Sequence, residues 1–354
     1  MNLASEVIAL RSHSPYLEHC VNEHGKMTKD TIDLEQLTGK RLGPYKSFNP
    51  VSRVQIWQWC RAMGDHNPLY LDEAYQESKG IEGAIAPPAM MQMWTMRDVT
   101  MTYAPGSTDA APYQVFDDLK AAGFPANVAV SYDIQFHRYL SEGEQAHHYT
   151  TVVSITPLKK TALGAGHFVT ERVEYLTEDE ELFAEALITY FQYQPTAQTE
   201  KTQAFEPPQP PAGKWQPDFK DLDTRSLEPG QTLPELAIPI THKLIVSGAV
   251  ASQDFIDVHH NAPQAVAAAM PDIFMNILTT CGLAGRYLSD WAGPRARLER
   301  LSFKLLAPNT PGDTMVMQGS VSSVDAQHVG VDFAGRNGRG FHLTGKAVLQ
   351  LGNS

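Results

Sequence analysis

Residues 271–293, PDIFMNILTTCGLAGRYLSDWAG, and the run that follows them decide the fold. Ile273, Ile277, Cys281, Ala284 and Leu288 recur at the spacing of one helical face, and Asp272 stands where an N-cap is wanted, so the stretch predicts one long helix. The period then changes. RLSFKLL (300–306) alternates Leu301, Phe303 and Leu305. APNTPGDT (307–314) is a Pro-Gly turn. MVMQGSVSSV (315–324), HVGVDFAG (328–335) and GFHLTGKAVLQL (340–351) read as antiparallel strands, the last two joined at Arg336-Asn337-Gly338. A long helix followed by consecutive antiparallel strands predicts an α+β unit in which a sheet wraps a helix.

The first half of the chain repeats this grammar. SRVQIWQWCRAMG (52–64) predicts a helix capped by Ser52, with Val54, Trp57, Cys60 and Met63 facing inward. The turn GDHNPLY (64–70) matches LIVSGAVASQDFIDVHHNAPQ (244–264), a short helix and polar turn in the second half. A proline-led, Met-rich segment, AMMQMWTMRDV (89–99), predicts the counterpart of the long helix. ANVAVSYDIQF (126–136) alternates Val128, Val130, Tyr132, Ile134 and Phe136. A turn at Gly143 and three further strand-like runs, YTTVVSI, GHFVTERVEYL and FAEALITYFQYQ, complete the half. Between the halves lies a Pro-rich stretch without apolar periodicity, read as a partly extended linker. The expected organisation is residues 1–200, a linker at 201–235, and residues 236–354, the two halves forming a fused pseudo-dimer; two unrelated α+β domains are the alternative.

Composition narrows the function classes. The 354 residues carry a net charge of −12, which argues against nucleic acid, whose partners need a basic footprint. No run of 18 apolar residues is present, so no membrane helix is expected, and no basic start leads into an apolar stretch, so no signal peptide is expected. Cys20, Cys60 and Cys281 are far apart and odd in number, which reads as reduced thiols in a cytoplasmic protein.

These segments resemble MaoC-like enoyl-CoA hydratases and dehydratases of hotdog fold. NPLYLDEAY in the first half is similar to their non-catalytic or N-terminal dehydratase subgroup. SGAVASQDFIDVHHNAP, the 271–294 stretch and PNTPGDT resemble the catalytic subunit of heteromeric hydratases that act on steroid side-chain enoyl-CoA thioesters. The resemblance implies two hotdog domains, hydration of a 2-enoyl-CoA to a 3-hydroxyacyl-CoA, a sterol or bile acid side chain as acyl group, coenzyme A as part of the substrate and no separate cofactor. It also implies a homodimer of double-hotdog chains, with a pathway aldolase or dehydrogenase as a further partner. A non-catalytic acyl-CoA-binding scaffold and an acyl-CoA thioesterase are the alternatives.

The chemistry concentrates in ASQDFIDVHHN (251–261). Asp254 and His259 are five apart, and a carboxylate beside an imidazole suits water addition, which needs one proton taken and one delivered. Asp257 is a rival acid and His260 a rival imidazole, the first read as a loop stabiliser and the second as solvent-facing. The start of the 271–293 helix is the candidate source of thioester-oxygen donors. Asn276, Arg295 and Arg297 are the expected substrate contacts, with Arg300 and Lys304 nearby. Ile256-Asp257 departs from the Asn-Pro of the family pattern, which puts loop shape in question. In the first half Asp65, Asn67 and Tyr70 hold the corresponding turn, but a phenol replaces the imidazole, so this copy reads as degenerate. The glycine-bearing loop GIEGAIAPP (80–88) is expected to open room for a bulky acyl group. His147 and His148 lie in a strand and read as structural. No metal is expected, since no third spaced ligand accompanies Asp254, His259 and His260.

Overall fold

A computed structural model of the chain describes residues 33–196 and 215–352 apart from residue 269. Cys20 and the first part of the expected linker lie outside the described residues. The first half contains β1 (Arg41–Lys46), α1 (Arg53–Met63), α2 (Pro68–Leu71), α3 (Glu73–Ser78), α4 (Gln114–Ala121), β2 (Ala126–Phe136), β3 (Ala146–Ile155), β4 (Lys159–Lys160), β5 (Gly164–Thr177) and β6 (Leu182–Pro195). The second contains β7 (Leu236–Ile240), α5 (His242–Ala251), α6 (Ala262–Ala267), α7 (Ile277–Ala292), β8 (Arg297–Leu305), β9 (Asp313–Val324), β10 (His328–Asn337) and β11 (Gly340–Gln350).

The strands form one antiparallel sheet in the order β1-β3-β5-β6-β2-β8-β11-β10-β9-β7, with the short β4 beside β5. Leaving β4 aside and counting outward from the β2–β8 junction, both halves run second, fifth, fourth, third, first in their own strand order. The duplication expected from the sequence is therefore present in the topology, and the fold is a double hotdog of α+β class. At the junction Tyr132 pairs with Phe303 and Ile134 with Leu301. All four side chains are buried, so the seam between the halves is a hydrophobic core.

Helix α7 is the centre of the molecule. Every residue in it except Ile277 and Arg286 is buried, because it packs against α1, α5 and β8 and against the turn Pro88–Met90 of the other half. A helix enclosed on all sides needs small residues where its neighbours come close. A Cβ on Gly282 would lie 2.8 Å from Trp59 Cζ2 and 2.9 Å from Met63 Sδ, and one on Gly248 of α5 would lie 2.7 Å from the Thr279 methyl. Gly248→Ala should destabilise the fold by about 1–3 kcal/mol through overpacking at the α5–α7 contact, read as a lower denaturant midpoint at unchanged slope.

Several elements differ from expectation. The α7 cap is Asn276, not Asp272: the Asn276 side chain accepts from the Thr279 amide, whereas Asp272 accepts from the adjacent Ile273 amide at 2.7 Å and meets His242. Helix α1 has its expected Ser52 cap and a left-handed Gly64 at its end, yet its buried face is Ile56, Trp59, Cys60 and Met63, while Val54 and Trp57 are exposed. The true face follows the 3.6-residue period (i, i+3, i+4, i+7); the expected one advanced by three and drifted off it. The Met-rich segment forms only two single turns, Pro88–Met90 and Met93–Thr95. Pro87 has no side-chain acceptor to start a helix. Downstream, Asp98 gathers the amides of Thr100 and Thr102 at 2.9 and 3.1 Å and both of their hydroxyls, which offers the backbone a local alternative to helix. The described part of the expected linker is docked: Trp215 meets the Tyr287 ring edge, and the Leu222 amide bonds the last α7 carbonyl at Ala292.

With no long helix across it, the inner face of the first half's sheet retains polar groups. Glu171, in the middle of β5, is 3 % exposed. It shares its surroundings with His148, Thr150, Tyr103, Tyr113, Tyr175 and Tyr190. Burial pushes its carboxyl up to about 8 from an ordinary 4.5. Between those values the unfolded chain ionises while the folded chain keeps its proton, so this group costs stability as pH rises through the window. In melting curves across that range, the parent should lose stability relative to Glu171→Gln as pH increases.

Candidate active site

The end of α5 places the acid. Its cap, Ser252, bonds the Gly248 carbonyl at 2.8 Å through Oγ; Gln253 then takes a left-handed conformation, φ 54; and the Asp254 amide returns to the Ala249 carbonyl at 2.9 Å. A non-glycine residue in that conformation stores strain beside the acid. The single turn Asp257–His259 places the imidazole. His259 Nδ1 lies 2.7 Å from the Phe274 carbonyl oxygen. A carbonyl only accepts, so Nδ1 carries hydrogen and the neutral ring leaves a lone pair on Nε2. That Nε2 is 3.6 Å from Asp254 Oδ2, with both side chains under a tenth exposed.

Asn276 ties the pair to the central helix. Its Nδ2 donates to Asp254 Oδ2 and to Ser252 Oγ, each at 2.9 Å, while its Oδ1 receives the Thr279 amide at 2.8 Å. One residue thus caps α7 and fixes the acid. The other carboxylate oxygen, Asp254 Oδ1, is buried with no partner among the described residues. Asp254 Oδ1 and the His259 Nε2 lone pair are thus both acceptors on groups that meet at 3.6 Å through Oδ2, and Asn276 ties them to the N-terminal end of a helix whose dipole favours negative charge.

Asp257 and His260 are both exposed and face each other at 3.6 Å, away from this pair. Arg295 and Arg297 line a cleft of about 640 Å³ together with Leu69, Tyr75, Lys79 and Tyr139. That cleft adjoins α2 and α3 of the first half, and neither Asp254 nor His259 forms part of its wall. Leu69 of the first-half turn forms part of its wall. Arg297 also bonds the His137 carbonyl at 3.0 Å, Arg300 is paired with Asp133 at 2.9 and 2.7 Å, and Lys304 is exposed.

The first-half turn around Asp65 and Tyr70 is filled. Asp65 Oδ1 accepts from the Asn67 amide and Asn67 Oδ1 from the Leu69 amide, each at 3.0 Å, so both serve the turn itself. Arg286 occupies the neighbouring space, bonding the Met63 carbonyl at 2.8 Å and Asp290 Oδ2 at 3.1 Å. Burial raises Asp65, and burial followed by the Asp65 charge pushes Asp290 up to about 7. Burial foremost, then Asp65, holds the Tyr70 phenol well above its ordinary value. The remaining void is about 10 Å³, the size of one water at most. In the loop 80–88, expected to open room, Ala84, Ala86 and Pro88 are buried against the core, while Ile81 and Ile85 form part of the wall of the cleft of about 640 Å³. His147 faces Glu180, and His148 is stacked on Tyr45. The residues missed in the sequence are Ser252, the Phe274 carbonyl and Glu171; an Asn three residues before a Thr amide was the one signal available for the double role of Asn276.

Residues 36–186 match a family model described as "FAS1-like, dehydratase domain region". The "3-oxo-4,17-pregnadiene-20-carboxyl-CoA hydratase beta subunit" of Mycobacterium tuberculosis is 42% identical over 125 residues, 35% of this chain and 97% of that subunit. The "Probable enoyl-CoA hydratase alpha subunit" of Thermomonospora curvata is 36% identical over 178 residues, 49% of this chain; the match spans only 56% of that protein, a little over half its length. A solved "MaoC-like dehydratase" superposes with a TM-score of 0.68 at 18% identity, covering 90% of this chain and all of that one, and shares the double-hotdog fold. With a relative of this identity covered almost end to end, and with this fold, the chain belongs to the MaoC-like hotdog family of enoyl-CoA hydratases.

Proposed function

We propose that the protein adds water across the double bond of a 2-enoyl-CoA, giving a 3-hydroxyacyl-CoA, and that the second half carries the chemistry. The observation that supports this most directly is the buried Asp254–His259 pair with one unpartnered carboxylate oxygen beside an imidazole lone pair. A water bound between Oδ1 and Nε2 gives a proton to Nε2 as its oxygen bonds the β-carbon. The imidazolium, facing Asp254, returns that proton to the α-carbon, so the sum is one H and one OH added. Amides at the start of α7 stabilise charge on the thioester oxygen. Coenzyme A enters as part of the substrate. A steroid side-chain thioester is the acyl group we infer, supported by the name of the beta-subunit relative. This one chain matches both an alpha and a beta subunit, which supports reading it as the two roles joined.

The test is loss of the conjugated-thioester absorbance on incubation with a short 2-enoyl-CoA and with a steroid 2-enoyl-CoA; folded protein that hydrates neither contradicts the proposal. Because the first-half turn serves packing, Tyr70→Phe should leave the hydration rate within about twofold of the parent. A loss of more than a hundredfold at unchanged stability would move the chemistry to the other turn.

A further inference from the structure

The first half's interior contains polar groups that neither packing nor the Asp254–His259 pair uses. Along β5 the inward residues are Val169, Glu171, Val173 and Tyr175, so a carboxyl interrupts an apolar stripe. In the second half the inward residues of β10 include Val329, Val331 and Phe333, with no such interruption. Glu171 Oε1, Thr150 Oγ1 and His148 Nδ1 are all enclosed and without hydrogen-bond partners among the described residues. They line one cavity of about 30 Å³ with Gln92, Tyr103, Tyr113, Tyr175 and Tyr190. Its roof is the irregular segment 92–113, where a helix would otherwise cover the sheet. Each of these three enclosed polar atoms can offer a polar group in this space a hydrogen bond worth about 1–3 kcal/mol.

We propose that this cavity is a recognition subsite for a neutral oxygen function, a ketone first and a hydroxyl second, on the distal end of the acyl group. The inference rests on the hydratase reading for the acyl-CoA itself. A protonated Glu171, Thr150 and the surrounding phenols are hydrogen-bond donors in surplus, which suits a carbonyl oxygen. Among the described residues no Lys or Arg lines the cavity, so it does not suit a carboxylate or phosphate. The location also fits. Gln92, in the cavity wall, accepts from the Tyr132 hydroxyl, and the Tyr132 ring meets Phe303 edge-on at 6.1 Å across the β2–β8 seam, so the cavity adjoins the second half. Met96, Val173 and Ile188 supply apolar wall for a ring. The roof has no strand pairing; it meets the sheet through ring contacts, Tyr103 on Tyr45 at 4.6 Å and Arg97 over Tyr113 at 5.0 Å, and through three hydrogen bonds to β1. These are the Thr108 amide to the Pro44 carbonyl, the Lys46 amide to Ser107 Oγ and the Tyr45 hydroxyl to the Ala110 carbonyl, and all these contacts have to yield to admit a ring.

The experiment measures calorimetric affinities of the full-length protein for three saturated, ring-bearing acyl-CoA thioesters that differ only in a distal ketone, hydroxyl or hydrogen. The parent should bind the ketone at least about tenfold tighter than the deoxy compound, with the hydroxyl between them. Thr150→Val and Glu171→Leu should each bring the three affinities together, and Glu171→Gln, which keeps a donor, should retain part of the difference. Equal affinities in the parent mean that only waters occupy the cavity and overturn the proposal, as does a preference that survives in both Thr150→Val and Glu171→Gln undiminished. Saturated thioesters cannot be hydrated, so the two readings fail separately. Preference without turnover of the unsaturated analogue rejects the hydratase and keeps the subsite; turnover with equal affinities does the reverse.

Discussion

Replacing His259 by alanine is expected to lower the hydration rate by about a thousandfold, within the range that a positioned proton-transfer group contributes, while the melting temperature stays within a few degrees of the parent. The expectation follows from the tautomer. Phe274 fixes the hydrogen on Nδ1, so Nε2 is the only ring atom free to take the water proton. Asp254→Asn should lose a comparable factor for a different reason. The amide cannot stabilise the imidazolium, and one of its two polar atoms becomes a donor where the water needs an acceptor. A thousandfold loss corresponds to about 4 kcal/mol of transition-state stabilisation. Rates that fall only a fewfold in either variant would leave the pair a structural feature of the turn. Stopped assays at saturating thioester, with circular dichroism to verify folding, give the answer.

Asn276→Ala should produce the second large effect, and it should appear in stability and rate together. Loss of the cap costs about 1 kcal/mol. Loss of the hydrogen bond to a buried carboxylate costs about 1.5–3 kcal/mol more, because Asp254 is left with neither oxygen partnered. The combined fall of about 3 kcal/mol is measurable by urea unfolding. Asn276→Asp separates the two roles. It keeps an acceptor for the Thr279 amide but sets a second carboxylate against Asp254, so the cap survives while one of the two carboxyls is forced to hold a proton. Rate lost with stability largely retained is the expected outcome; a variant as active as the parent would show that Asp254 does not depend on Asn276.

The duplicated strand order, the Ser52 cap and the Asp254–His259 spacing were legible in the sequence because each depends on local pattern: alternation, a capping residue, a fixed offset on one turn. What escaped depends on contacts between distant segments. The start of α7 was misplaced because Asp272 and Asn276 are both competent caps, and only the latter also meets Ser252 and Asp254. The inward face of α1 was misread because Val54 and Trp57 are as apolar as Ile56 and Trp59, and the surface that chooses between them comes from α5 and α7. The Met-rich segment carries residues that suit a helix but lacks a capping side chain at Pro87, and Asp98 supplies a competing turn. Arg295 and Arg297 were expected as substrate contacts because they follow α7 in the chain; the loop after α7 and the start of β8 place them in the wall of the cleft beside α2 and α3. Glu171 gave no signal at all, since a lone Glu in an alternating strand reads as an outward residue until the register places it inward with Val169 and Val173.

The central claim is that a water held by Asp254 and His259 is added to the substrate double bond. Turnover of a 2-enoyl-CoA in water enriched in oxygen-18 and deuterium, followed by mass spectrometry of the thioester, tests it directly. The account predicts one labelled oxygen at the β-carbon and one deuterium at the α-carbon, with the thioester intact, and neither label in the His259→Ala protein beyond the uncatalysed background. Release of free coenzyme A with no labelled 3-hydroxyacyl thioester formed, or equal labelling by the parent and the variant, would contradict it.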